Sequence, residues 1–122
     1  MKHSAEYYIE HLEMEPHVEG GYFKECLLEK EERNLWSSIY FMLAKGEVSH
    51  FHRLKSDEVW YYHDGNALPI YMIDEAGKLT AAKLGLDLEK GEVPQVLVPK
   101  GMIFGSAMEE EGFSLVGCMV SP

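Results

Sequence analysis

The chain has 122 residues, 46% of them hydrophobic, a length and composition that suit one domain with a real core spanning residues 1–122. It carries 21 acidic residues against 11 Lys and Arg, a formal net charge of −10, which argues against nucleic acid, whose phosphates need a basic face, and against an anionic membrane surface. No apolar run has the length of a membrane span and the opening MKHSAEYYIEHLE is too polar for a signal peptide, so a cytoplasmic location is expected.

The elements follow in order. Residues 3–13 predict a short helix, with Ser4 as N-cap and Tyr8, Ile9 and Leu12 at helical spacing. Glu15-Pro16 ends it. A turn at Gly20-Gly21 leads into a strand from Tyr22 to Leu28, and Glu29 to Asn34 reads as a charged loop. Short β-rich runs follow at Leu35–Leu43, Ser49–Leu54, Glu58–His63, Leu68–Ile73, Lys78–Leu84, Pro94–Val98, Met102–Met108 and Phe113–Val120. Glycine-bearing turns separate most of them. Many short strands at near-regular spacing predict an all-β sandwich or barrel. The run from Trp36 to Leu43 has the hydrophobicity of a buried helix, but its aromatic and β-branched content favours a strand. Cys26 and Cys118 are too few for a disulfide framework and lack metal-ligand spacing, so both are expected to be buried, reduced thiols.

The chemistry concentrates between Gly46 and Gly65, GEVSHFHRLKSDEVWYYHDG. It reads as two strands joined by a turn at Lys55-Ser56-Asp57. His52 and Glu58 are expected to face one interior cavity. A carboxylate bonded to one imidazole nitrogen fixes the tautomer and makes the ring a general base. Strand parity puts Trp60 and Tyr62 on the face of Glu58, which makes Tyr62 a candidate acid. His50 alternates onto the same strand face as His52.

Other residues carry a family resemblance. Gly46 is followed by five residues and His52, and Glu58 by six residues and Gly65; Pro99-Lys100-Gly101 follows later. This spacing resembles the two motifs of the cupin superfamily. Two of the four usual ligand positions hold His52 and Glu58, while the other two hold Leu54 and Phe104. Pro16-His17-Val18-Glu19-Gly20-Gly21-Tyr22-Phe23-Lys24-Glu25 is similar to the PHPEGGYFRE signature of one uncharacterised single-domain cupin family, with Lys24 in place of Arg. Phe51-His52-Arg53, Ser56-Asp57-Glu58-Val59-Trp60, Pro94-Gln95 and Ser114–Cys118 extend the likeness from about Leu12 to Pro122. The resemblance implies a double-stranded β-helix, the cupin jelly-roll barrel, with a short N-terminal helix. It also implies a homodimer and a small-molecule pocket.

The expected ligand is small and polar, of sugar or nucleotide type, and the expected chemistry is metal-independent acid–base work of the isomerase or epimerase kind. His52 would be the base, Glu58 its orienter and Tyr62 the acid. Tyr22, Phe23, Lys24, His50, Arg53, Trp60 and Phe104 are the candidate ligand-binding residues. One alternative is a binding or sensing module without catalysis. A second is a cupin dependent on a divalent transition metal, held by His52, Glu58 and His50 after a bulge brings the three together. No cofactor is favoured.

Overall fold

Among the described residues, eleven strands form two facing, mostly antiparallel sheets whose alternating residues meet in the middle. The computed structural model describes residues 3–30 and 34–122, with side chains described outside 27–34. The strands are β1 Glu15–Pro16, β2 Tyr22–Lys30, β3 Asn34–Ala44, β4 Val48–Arg53, β5 Asp57–Gly65, β6 Leu68–Ile73, β7 Leu79–Leu84, β8 Glu92–Val93, β9 Gln95–Val98, β10 Ile103–Ala107 and β11 Phe113–Ser121. The larger sheet runs β1-β2-β3-β11-β5-β9 and the smaller β4-β10-β6-β7-β8. All pairings are antiparallel except β7 with β8. This is the expected all-β jelly roll. Trp36–Leu43 is strand, as its β-branched and aromatic residues favoured. The short β1 and β8 were not foreseen. Neither was the 3₁₀ turn at Leu88–Lys90.

The expected loop at 29–34 is shorter than proposed, because β2 continues to Lys30 and β3 starts at Asn34. Residues 31–33 of that loop, and with them part of the acidic tract Glu29–Glu32, lie outside the described residues.

The main core fills the space between the sheets. Phe41, Leu43, Trp60, Leu68, Ile70, Leu84, Val98, Phe104 and Val116 pack there. Burial of these side chains stabilises the fold by roughly 1.5–3 kcal/mol each. A second cluster of Met14, Met42, Phe113 and Leu115 lies on the outer face of the larger sheet, under the helix α1 Ala5–His11. Seven residues are too few to hold a helix in water. Three things hold α1 in place. The Ser4 hydroxyl accepts from the Tyr7 N–H at 3.1 Å, and Tyr8, Ile9 and Leu12 pack onto that second cluster. Tyr8 also donates to Asp64 at 2.7 Å.

Two irregularities reset strand parity. Between β4 and β10, Phe104 pairs with His52 but Ser106 pairs with Ser49. Three steps on β4 thus match two on β10, and one extra residue bulges from β4. Between β5 and β11, Tyr62 pairs with Val116 but Asp64 pairs with Leu115, so His63 is the extra residue. Asp64 thereby turns outward to meet Tyr8.

The His17–Gly21 turn is pressed onto β3 and β4. The Glu19 carbonyl accepts from the His50 N–H at 3.0 Å, and the Gly21 carbonyl from the His17 N–H at 2.9 Å. A Cβ on Gly20, whose φ is +110°, would sit 1.7 Å from the Val48 carbonyl oxygen. Backbone cannot yield that far. Gly20→Ala is expected to lose more than about 2 kcal/mol of stability. Gly46→Ala has a φ of +84° but open space around it, and should lose only about 1 kcal/mol. Urea midpoints of the two variants check this ordering, and equal losses contradict it.

Candidate functional site

One end of the barrel holds a cavity lined by His17, Ile39, Phe41, Ser49, His52, Glu58, Trp60 and Cys118, with a volume of about 40 Å³. It opens into a wider mouth of about 300 Å³ that adds Val18, Glu19, Ser37, Leu54 and Val120. β3, β4, β5 and β11 supply the walls, and the His17–Gly21 turn supplies the rim.

The β4 bulge decides which histidine enters. Simple alternation put His50 and His52 on one face. The extra residue instead turns Ser49 and His52 inward and leaves His50 and Phe51 outside. Gly105 faces this bulge; a Cβ there would lie 2.8 Å from the Ser49 carbonyl oxygen. His50 lines a separate outer groove with Val48, Phe51, Tyr71 and Ala107. The bulge thus does the reverse of what a His50, His52 and Glu58 metal triad needs.

Hydrogen bonds set the tautomers of the two cavity histidines. The His52 Nδ1 lies 2.8 Å from the His50 carbonyl oxygen. A carbonyl can only accept, so Nδ1 carries the proton and, in the neutral ring, Nε2 keeps its lone pair. The Glu19 N–H points at the His17 Nδ1 at 2.9 Å. A backbone N–H can only donate, so the neutral His17 ring carries its proton on Nε2. Phe23 and Phe41 hold this ring edge-to-face at 4.8 and 5.6 Å. Burial pushes the His17 pKa down, which keeps the ring neutral.

Glu58 is 8% exposed. Its Oε1 accepts from the Trp60 indole N–H at 2.8 Å. Burial pushes its pKa up from 4.5 to about 7, against the opposing pull of that hydrogen bond and of His52. The expected hydrogen bond from Glu58 to His52 is not made; the His50 carbonyl orients His52 instead. Cys118 sits across from Trp60 on β11. Its thiol is pushed well up by burial and, less, by Glu58.

Several expected pocket residues stand elsewhere. The Tyr62 hydroxyl donates to the Gly65 carbonyl at 2.6 Å, and Tyr62 does not line the cavity, because β5 carries it toward the barrel's far end. Tyr22 packs into the outer cluster beneath α1. Lys24, on the same outer face, lies 3.9 Å from Glu13. Arg53 is exposed, one residue out of phase with His52. Phe104 is 1% exposed, with its ring 4.3 Å from that of His52, so it backs the cavity without lining it. Phe23 stands behind His17. Cys26 is exposed, unlike Cys118.

Sequence reasoning missed His17, Ser49 and Cys118. The PHVEGGYF run signalled His17, because two adjacent glycines announce a turn forced against other backbone. Nothing local signalled Ser49. Among the described residues, no group of three or more His, Cys, Asp and Glu side chains converges as metal ligands would.

The raised pKa of Glu58 makes stability depend on pH. The folded state binds this proton more tightly than the unfolded chain. The stability that Glu58 contributes is therefore full below about pH 4.5 and is lost as pH rises through about 7. The loss is of order 3 kcal/mol. Glu58→Gln keeps an acceptor for Trp60 and removes the buried charge. Its melting temperature relative to wild type is expected to be higher at pH 8.5 than at pH 5, and a difference independent of pH contradicts the assignment.

Comparison with known proteins follows this geometry. The family model described as Cupin superfamily (DUF985) matches residues 6–122. A crystal structure of a protein from Shewanella oneidensis is similar at 60% identity and a TM-score of 0.93, covering 98% of this chain and 78% of that one. A hypothetical protein from Leishmania major is similar at 36% identity and a TM-score of 0.87, covering 98% and 82%. A mutant oxalate decarboxylase of Bacillus subtilis shares the fold at 22% identity and a TM-score of 0.66, covering 88% of this chain and 26% of that one. No curated protein matches. No described helix is long and apolar enough to cross a membrane. By sequence and by fold, the chain belongs to the DUF985 family of the cupin superfamily.

Proposed function

We propose that the barrel cavity is an acid–base site for a small molecule, with His52 as the base. One observation carries this reading: two imidazoles held in opposite tautomers share one cavity. With Nδ1 of His52 bonded to a carbonyl, its Nε2 is the nitrogen left to act as base, and the His17 Nε2 presents an N–H. A base and a hydrogen-bond donor on one substrate are what proton abstraction next to a carbonyl requires. On an α-hydroxy carbonyl compound the base takes the C–H proton and the donor stabilises the enediolate oxyanion; the hydroxyl proton passes to that oxyanion and the carbon proton returns to the former carbonyl carbon, which completes an isomerisation. Glu58 stands beside His52 with a pKa of about 7, suited to relay that proton near neutral pH. Tyr62 has no part in this scheme, because its hydroxyl is committed to Gly65.

Deuterium incorporation tests the reading. Small carbonyl compounds incubated with the protein in D2O should exchange their α-protons, as read by NMR. His52→Ala is expected to slow exchange by about 100-fold or more with an unchanged melting temperature. Equal exchange by the variant rejects His52 as the base. Saturable binding with no exchange by any compound favours the non-catalytic binding module.

The metal-dependent reading draws on the oxalate decarboxylase of Bacillus subtilis, whose Mn(II) centers have been characterised. Here Leu54 and Phe104 stand at two ligand positions, and Phe104 packs against the His52 ring. The described donor set does not converge, so no step is drawn through a metal. Protein purified without a His tag should hold far less than stoichiometric metal, and a chelator should leave its melting temperature unchanged. Stoichiometric metal with a chelator-sensitive melt would reverse this.

A further inference from the structure

The shape and charge of the same site narrow its ligand, if it is the functional site proposed above. The cavity has a volume of about 40 Å³, and a wider space of about 300 Å³ adjoins it. The two share His17, Ile39, His52, Glu58 and Cys118, so a ligand placed against these groups extends into the wider space.

The polar groups gather on the shared wall: the His17 N–H, the His52 Nε2 and Glu58, with Ser49 beside them. The wider space adds Val18, Leu54 and Val120, with Ser37 and Glu19. Among the described residues, neither lining contains a Lys or Arg. The two cations nearest in sequence are turned away, Arg53 by strand alternation and Lys24 onto the outer face beside Glu13. The ionisable oxygens here belong to Glu19 and Glu58. Among the described residues a phosphate or diphosphate would meet Glu19 and Glu58 and no Lys or Arg, and desolvating it in this cavity would be costly.

We infer that the pocket takes a small uncharged molecule with a short hydroxy-carbonyl head and an apolar body, and not a phosphorylated sugar or a nucleotide. The head must both donate and accept. Its carbonyl oxygen takes the His17 N–H and the carbon that bears its hydroxyl faces the His52 Nε2. The apolar substituent lies in the mouth against Val18, Leu54 and Val120.

The probes are 2-hydroxyacetophenone, which has this head and a phenyl body, acetophenone, which lacks the hydroxyl, and dihydroxyacetone phosphate. Binding is measured by isothermal titration and ligand-observed NMR. Expected are saturable binding of 2-hydroxyacetophenone, affinity for acetophenone lower by about tenfold, and no competition by dihydroxyacetone phosphate. His17→Ala should weaken the first probe about tenfold by removing the donor. Val18 is 93% exposed, so Val18→Asp should fold normally while weakening the same probe through the mouth. Failure of 2-hydroxyacetophenone to bind, tighter binding of the phosphate, or indifference to both substitutions overturns the inference. Binding without α-proton exchange supports this ligand class and rejects the acid–base reading, so the two are separable.

Discussion

The bulge in β4 governs everything that the pocket can do. Without it, Ser49 would face solvent wherever His52 faces the core, and His50 would crowd in beside His52. With it, the strand keeps its pairing to β10 while two successive residues, His50 and Phe51, point outward. Gly105 makes room for the displaced backbone. The outward turn also frees the His50 backbone to serve the site indirectly. Its carbonyl fixes the His52 tautomer and its N–H is tied to the Glu19 carbonyl.

That last bond links the bulge to the second half of the site. The His17–Gly21 turn is held on β4 from one side and, through Gly20 and Gly21, lies against the backbone of β4 and β3. This close approach carries His17 over the cavity. The same Glu19 whose carbonyl accepts from His50 donates its N–H to His17. One residue therefore couples the position of the rim to the polarity of its imidazole. The signature run is thus a mechanical device as well as a supplier of a side chain.

Electrostatics follow from burial. Glu58 is enclosed, and burial outweighs the hydrogen bond from Trp60 and the pull of His52, so its proton is released only near neutral pH. A carboxyl in that state suits proton relay and does not suit anion binding.

The all-β class, most strand positions, the short capped helix and the inward placement of His52, Glu58 and Trp60 were legible in the sequence. Each depends on local periodicity, turn glycines or a spacing that one residue's neighbours carry. Tyr62 was misplaced because parity tells which face a side chain takes but not how far along the barrel it lies. His50 was misplaced because a bulge is a property of two paired strands, and its partner Gly105 is far away in the chain. Lys24 and Arg53 were drawn toward the site by their nearness in sequence to the motifs, whereas strand alternation turns both outward. The sequence by itself determined the fold class and two of the pocket's chemical groups. Tertiary structure alone decided that His17, Ser49 and Cys118 join them and which nitrogen of each histidine is free, because those outcomes depend on hydrogen bonds and close backbone contacts between segments that are distant in the chain.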